Sequence, residues 1–167
     1  MQSKEKFSEF ISYCQNNRIQ KIHLVEPILF VNPSSADFGY IIFVFEHCVF
    51  VAAPCFVSDT DDNPEFEMKK FDKIDDVVKA GIDLSNIYMT FENNDGSLTF
   101  CREMNDSVDG SLLGTEWKCS KGYLHFFASD STIIVTATES DWKTTEKSVF
   151  DPSAAIDEEK FILFPNA

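Results

Sequence analysis

The chain has 167 residues and a formal net charge of −14 at pH 7. At this length one domain buries roughly 70% of its unfolded surface and holds a core without cross-links. So large an acidic excess repels phosphate backbones and anionic membranes and steers basic partners in, which argues against nucleic-acid and membrane binding. Seventeen phenylalanines favour a core of large flat rings on sheets. The five cysteines (14, 48, 55, 101 and 119) are odd in number and lack CxxC spacing. With no secretory signal at the start of the sequence, buried free thiols in a reducing cytoplasm are the simplest account of them.

Residues 3–17 predict an amphipathic helix, with Phe7, Phe10, Ile11 and Cys14 at helical spacing and Asn16-Asn17 as its stop. Residues 19–32 are extended and broken at Pro27, and 32–39 (NPSSADFG) have the composition of a loop. The stretch 40–55, YIIFVFEHCVFVAAPC, is the most apolar in the chain. It is too long for one ordinary strand, but a turn at Glu46-His47 divides it into strands 40–45 and 48–53. Ile41, Phe43, Phe45, Cys48, Phe50 and Ala52 then share one face, and Tyr40, Ile42, Val44, Val49, Val51 and Ala53 the other. Both faces are apolar, as in a sheet covered on both sides. A long bent strand is the alternative, because Glu-His lacks the φ > 0 chemistry of a tight turn. The run is too short, and too polar at its centre, for a membrane-spanning helix.

Residues 58–67 (SDTDDNPEFE) place Asp59, Asp61 and Asn63 at the first, third and fifth positions of an EF-hand loop. Pro64 stands where that loop turns on Gly, and Lys70 where it needs a bidentate Glu, so no metal is expected. A helix follows at 72–80, capped by Asp72, with Asp75 and Asp76 in its first turn and Lys79 then Gly81 closing it. Phe71, Ile74 and Val78 would face the core. Residues 87–103 have the clearest hairpin pattern. Ile87, Met89 and Phe91 alternate with Tyr88, Thr90 and Glu92, Asn-Asn-Asp-Gly turns, and Leu98 and Phe100 return on the same face. A second acidic, glycine-bearing loop covers 103–116, long enough to suggest function. Strands at 116–119, 123–128 and 133–138 come next. Asp151-Pro152 opens a last short helix, and 161–164 docks back as an edge strand. The expected fold is a single α+β domain over 1–167. It is rich in antiparallel sheet, with the N-terminal amphipathic helix and two short helices packed on it.

Catalytic signals are absent from the sequence. His23, His47 and His125 fall on strands or a strand turn, in no HExxH-like array, and no cysteine is spaced for zinc. His47 and Cys48, as neighbours on a strand, point to opposite faces and cannot form a thiol–imidazole dyad. There is no nucleophile elbow, dinucleotide fingerprint or phosphate loop, and no basic, aromatic-interleaved stripe for single-stranded nucleic acid. No catalytic residue, cofactor or metal is assigned.

Residues 58–83 and 84–116 each carry a net −5, so the acidity is concentrated in the middle of the chain. With the acids of 58–67 and 103–116, the chain resembles bacterial toxin-immunity proteins, small acidic α+β proteins of the cytosol that block nuclease toxins. The likeness is one of class, spread over the whole chain without a signature motif. It implies a protein-binding module that covers a basic partner's active surface, gaining on-rate from steering and affinity from a few buried anchors. The candidate partner surface is Asp59, Asp61, Asp62, Glu65, Glu67, Asp106 and Asp109, with Tyr88, Trp117 and Trp142 as aromatic anchors. The order of helices and strands is also similar to small effector chaperones of bacterial secretion systems, from which the strand-rich part after Glu116 departs. A third alternative is an enzyme or small-ligand protein with a pocket between sheet layers, where polar groups would have to converge.

Overall fold

The computed structural model describes residues 2–32, 35–55, 65–105, 112–120, 122–128, 133–138 and 141. The short helix expected to open at Asp151-Pro152 and the strand at 161–164 lie outside the described residues. Within them the fold is α+β and mostly antiparallel sheet. Helix α1 (Gln2–Asn16) buries Phe7, Phe10 and Cys14, with Ile11 packed beside them, as the spacing predicts. The Asn16 and Asn17 side-chain amides donate to the Ser12 and Tyr13 carbonyls four residues back, satisfying acceptors that the last turn leaves open.

The strands are β1 (Ile19–Asn32), β2 (Ser35–Phe45), β3 (Val49–Cys55), β4 (Glu65–Phe71), β5 (Ile87–Glu92), β6 (Thr99–Asn105), β7 (Leu112–Cys119), β8 (Gly122–Ala128) and β9 (Ile133–Thr138). Helix α2 (Ile74–Lys79) and a 3-10 turn (Leu84–Asn86) join β4 to β5. β2 joins two half-sheets. Strand β1 runs along one of its edges, while residues 41–44 pair with β3 and residues 36–38 with β9 on the other. One half is therefore β5-β1-β2-β3-β4, and the other continues from β2 through β9-β8-β7-β6.

The halves share one core. Phe43 of β2 stacks on Trp117 of β7, with ring centroids 5.4 Å apart and planes 20° from parallel. Phe10 of α1 lies 4.7 Å from Phe43 and 5.2 Å from Phe50. A smaller cluster on the other face of the first half joins Val25, Ile42, Val44, Val49 and Val51 to Val77 of α2. The central hairpin turns at Glu46-His47, where the Phe45 N–H donates to the Cys48 carbonyl at 2.9 Å and Val44 faces Val49. Its two faces feed the two clusters. Ile41, Phe43, Phe45, Cys48, Phe50 and Ala52 lie in the larger, and Ile42, Val44, Val49 and Val51 in the smaller.

Five expectations are corrected. Residues 35–39 belong to β2 rather than to a loop, because β1 and β2 pair as far as Asn32 and Ser35 and the cross-strand ladder overrides turn composition. The break at Pro27 is a register shift between Val25 and Ile28 inside one long strand, where proline has no N–H to give the ladder. The second acidic loop shrinks, since β6 runs to Asn105 and β7 starts at Leu112. Helix α2 starts after Lys73 with no side-chain cap from Asp72, and it buries Val77, leaving Val78 52% exposed.

The fifth correction is the largest: β5 and β6 do not pair. β5 pairs with β1, and β6 pairs with β7. Buried Asn93 is the reason. Its side-chain amide donates to the Ile19 carbonyl at 2.8 Å, its side-chain oxygen accepts from the Leu98 N–H at 2.9 Å, and its own N–H donates to Gln20. The loop is thus bound to the start of β1, and the chain leaves it for the second half-sheet. The alternation of Ile87 with Met89 and Phe91 fails for a related reason. The β1–β5 register skips Tyr88, so Ile87 joins the smaller cluster while Phe91 enters the larger.

Candidate functional site

The expected partner surface is only partly placed. Asp59, Asp61, Asp62, Asp106, Asp109 and Trp142 lie outside the described residues. Glu65 opens β4 opposite Cys55, and Glu67, half-buried on the same strand, lies 3.7 Å from Lys69. Tyr88 is on β5 and 36% exposed. β4 and β5 are the two ends of a five-strand half-sheet, so Glu67 and Tyr88 are separated by four strand spacings, on the order of 19 Å. Trp117 is corrected outright. At 1% exposure, against Phe43, Phe100 and Phe10, it is a core residue and cannot serve as a surface anchor.

Sequence reasoning missed a buried polar cluster on the opposite side of Trp117's strand. The β6–β7 register shifts between Phe100 and Arg102, leaving Cys101 as the extra residue of a bulge. Without it, Phe100 and Arg102 would share a face. With it, Phe100 packs edge-on to Trp117 at 5.3 Å, and Arg102 pairs with Glu116 on the other side. Arg102 Nε lies 3.1 Å from one Glu116 oxygen, and His125 Nε2 lies 3.0 Å from the other. Glu116 and His125 have 0% side-chain exposure and Arg102 34%. Two positions along the same ladder, Lys118 sits 4.7 Å over the Tyr123 ring. The signal was present in the sequence: a Glu directly before Trp117, and a His between Leu124 and Phe126, put charge inside strands buried on both faces.

This cluster has part of the outline of a base and its orienting carboxylate, but its nearest thiol is unsuited to attack. Burial, and then the Glu116 carboxylate, push the Cys101 thiol up, whereas an activated nucleophile needs its thiol pushed down. The Tyr123 phenol is likewise raised, by desolvation first and the Asp141 charge second. The cluster is a polar triad spanning three strands, with the buried Glu116 carboxylate between Arg102 and His125. Among the described residues no group of three or more His, Cys, Asp and Glu side chains could hold a metal ion. No described helix is long and apolar enough to cross a membrane.

Two concave features bear on a small-ligand site. The space lined by Phe7, Phe10, Ile41, Phe43 and Phe126 is about 10 Å³, room for no more than about one water. An open cleft of about 460 Å³ lies where β1, β5 and the Glu46 turn meet, lined by Arg18, Lys21, Glu46, Glu92 and Asn94. Its size suits a ligand. Its charges are of both signs, however, on exposed Arg18, Glu46 and Glu92 and half-buried Lys21, and Arg18 is already committed to the Asn93 carbonyl at 3.0 Å.

The edge of the first half-sheet is the remaining candidate. Asx turns of sequence Asp-x-Ser bracket β5. Asp83 Oδ1 accepts from the Ser85 N–H at 2.9 Å and its hydroxyl at 2.6 Å, and Asp95 Oδ1 accepts from the Ser97 N–H at 2.9 Å. These bonds hold both exposed carboxyls below the usual range, so they stay ionised. Glu92 is also exposed, and no Lys or Arg occurs from Ala80 to Cys101. No protein-family model, curated protein or solved structure matches the chain.

Proposed function

We propose that the chain is an acidic protein-binding module that neutralises a basic protein partner, such as a nuclease toxin, by covering its cationic active surface. The observation that carries this is the charge. The chain holds 28 Asp and Glu against 14 Lys and Arg, and the excess is concentrated in residues 58–116. A field of one sign raises the encounter rate with a basic surface and rejects acidic ones. Among the described residues the buried acid Glu116 lies against Arg102 and His125 within the fold.

The test is affinity capture on the full chain from cells that make it, eluted by a salt gradient and identified by mass spectrometry. The captured protein is then purified and assayed with and without this chain. The expected result is a basic protein, released by salt, whose activity falls in stoichiometric proportion to the chain added. Release of acidic or neutral proteins only, or a basic protein whose activity is unaffected, would contradict the proposal.

A further inference from the structure

We infer that the open cleft at the start of β1 binds a small zwitterion of the α-amino-acid class, an activity separate from the binding of a protein partner. The cleft, of about 460 Å³, is lined by Arg18, Gln20, Lys21, Glu46, Glu92 and Asn94. Its two cations lie at the start of β1 and its two acids flank them. Glu92 on β5 is the cross-strand neighbour of Lys21, and Glu46 follows Phe45, the neighbour of Ile19 on β2. Two strand spacings, about 10 Å, separate the strands that bring in the acids. Among the described residues no ion pair joins either cation to either acid. Glu92 accepts from the neutral Asn94 amide at 3.2 Å, and Glu46 lies 3.8 Å from the His47 ring.

The cleft is preformed at its base. Asn93, 5% exposed, bonds through its side chain to the Ile19 carbonyl and the Leu98 N–H, and through its own N–H to the Gln20 carbonyl. Arg18 is held in place as well. Its Nη2 donates to the Asn93 carbonyl at 3.0 Å and lies 3.4 Å from where a Cβ on Gly96 would stand. That bond uses one of the five guanidinium N–H donors and leaves the others for an anion.

The mixture of signs selects the occupant. A ligand with a single charge would be drawn to one pair of side chains and repelled by the other. A zwitterion answers both, with its carboxylate on Arg18 and Lys21 and its ammonium on Glu92 or Glu46. The volume is in the range of small-molecule sites, and the Gln20 and Asn94 amides can hydrogen-bond a polar side chain. Exposed ion pairs contribute little each, so the dissociation constant should be on the order of 1 mM.

The test is an NMR titration of the full chain at low salt, read at its backbone amides. The probes are L-glutamine, its carboxamide, which lacks the carboxylate, and N-acetyl-L-glutamine, which lacks the ammonium. L-Glutamine should shift the amides of residues 18–21 and 92–94 saturably, with a midpoint on the order of 1 mM. Each of the other two forfeits one set of charge contacts and should bind at least fivefold more weakly. Lys21→Met and Glu92→Gln should each weaken L-glutamine about fivefold while the rest of the spectrum stays that of the folded chain. Lys79→Met on α2, outside the cleft, should leave binding unchanged. Absence of a saturable shift at about 50 mM L-glutamine would overturn the inference. Equal binding of all three compounds, or undiminished binding by both cleft variants, would overturn it too, because the paired charges would then play no part.

Discussion

Glu116 shows how strongly one side chain can be constrained here. It is fully buried between Arg102 and His125, and removing one member of a buried ion group leaves the others uncompensated. Glu116→Gln should therefore cost about 3–5 kcal/mol in urea unfolding, whereas replacing the partly exposed Arg102 should cost less. His23 supplies a pH dependence. Burial first, then the Lys21 charge, hold its imidazole below the ordinary range, and its Nδ1 lies 2.7 Å from Thr90 Oγ1. The folded state then binds fewer protons than the unfolded state, so this contribution is intact above pH about 6.5 and is lost as pH falls from there towards the folded value. His23→Gln should flatten the stability–pH curve across that window; an unchanged curve would show that His23 does not set it. Cys14, Cys48 and Cys119 are buried free thiols as expected, whereas Cys101 is half-buried. Burial raises Cys14, and pushes Cys119 up to about 12, so both should resist alkylation in the native chain and react once it is unfolded in urea.

At the scale of elements, what could be read from the sequence was face, and what could not was partner. The hairpin across Glu46-His47 was legible because two apolar faces at period two leave a strand one arrangement, and a wrong register would have exposed a phenylalanine row. For β5 the same alternation put Met89 and Phe91 on one inward face, but it gave neither the switch of Ile87 to the other face nor the neighbour. Local turn chemistry at Asn93–Gly96 suggested β6, whereas the buried amide of Asn93 ties the loop to β1, 74 residues away in sequence. Asn93→Ala should leave the Ile19 carbonyl and Leu98 N–H without that partner and cost about 2–4 kcal/mol in thermal or urea unfolding. A change of only a few tenths would mean that the loop is held by other contacts. Bulges were equally illegible. Cys101 and Tyr88 look like ordinary strand residues, yet the skipped register at each moves a neighbour to the opposite face.

For the whole molecule, the apolar patterning and the charge pattern speak to different things. The aromatic content was sufficient to expect a core of large flat rings on sheets, and Phe10, Phe43, Phe50 and Trp117 pack together in it. That same content misassigned Trp117 as a surface anchor, because a sequence does not distinguish a tryptophan facing solvent from one facing Phe43. The candidate site was legible only as a sign of charge. Glu67 and Tyr88 prove to lie at opposite ends of a half-sheet, so a partner touching both would have to span it, and the edge beside Asp83, Glu92 and Asp95 emerged only with the strand order. In the proposed function, charge guides this chain to a basic protein. The decisive experiment is stopped-flow association with the captured partner, followed from 20 mM to 500 mM salt. The on-rate should fall at least tenfold over that range. Reversing the charges of Asp59, Asp61, Asp62, Glu65 and Glu67 should slow association further and flatten the salt slope. An on-rate indifferent to salt, and to those reversals, would contradict it.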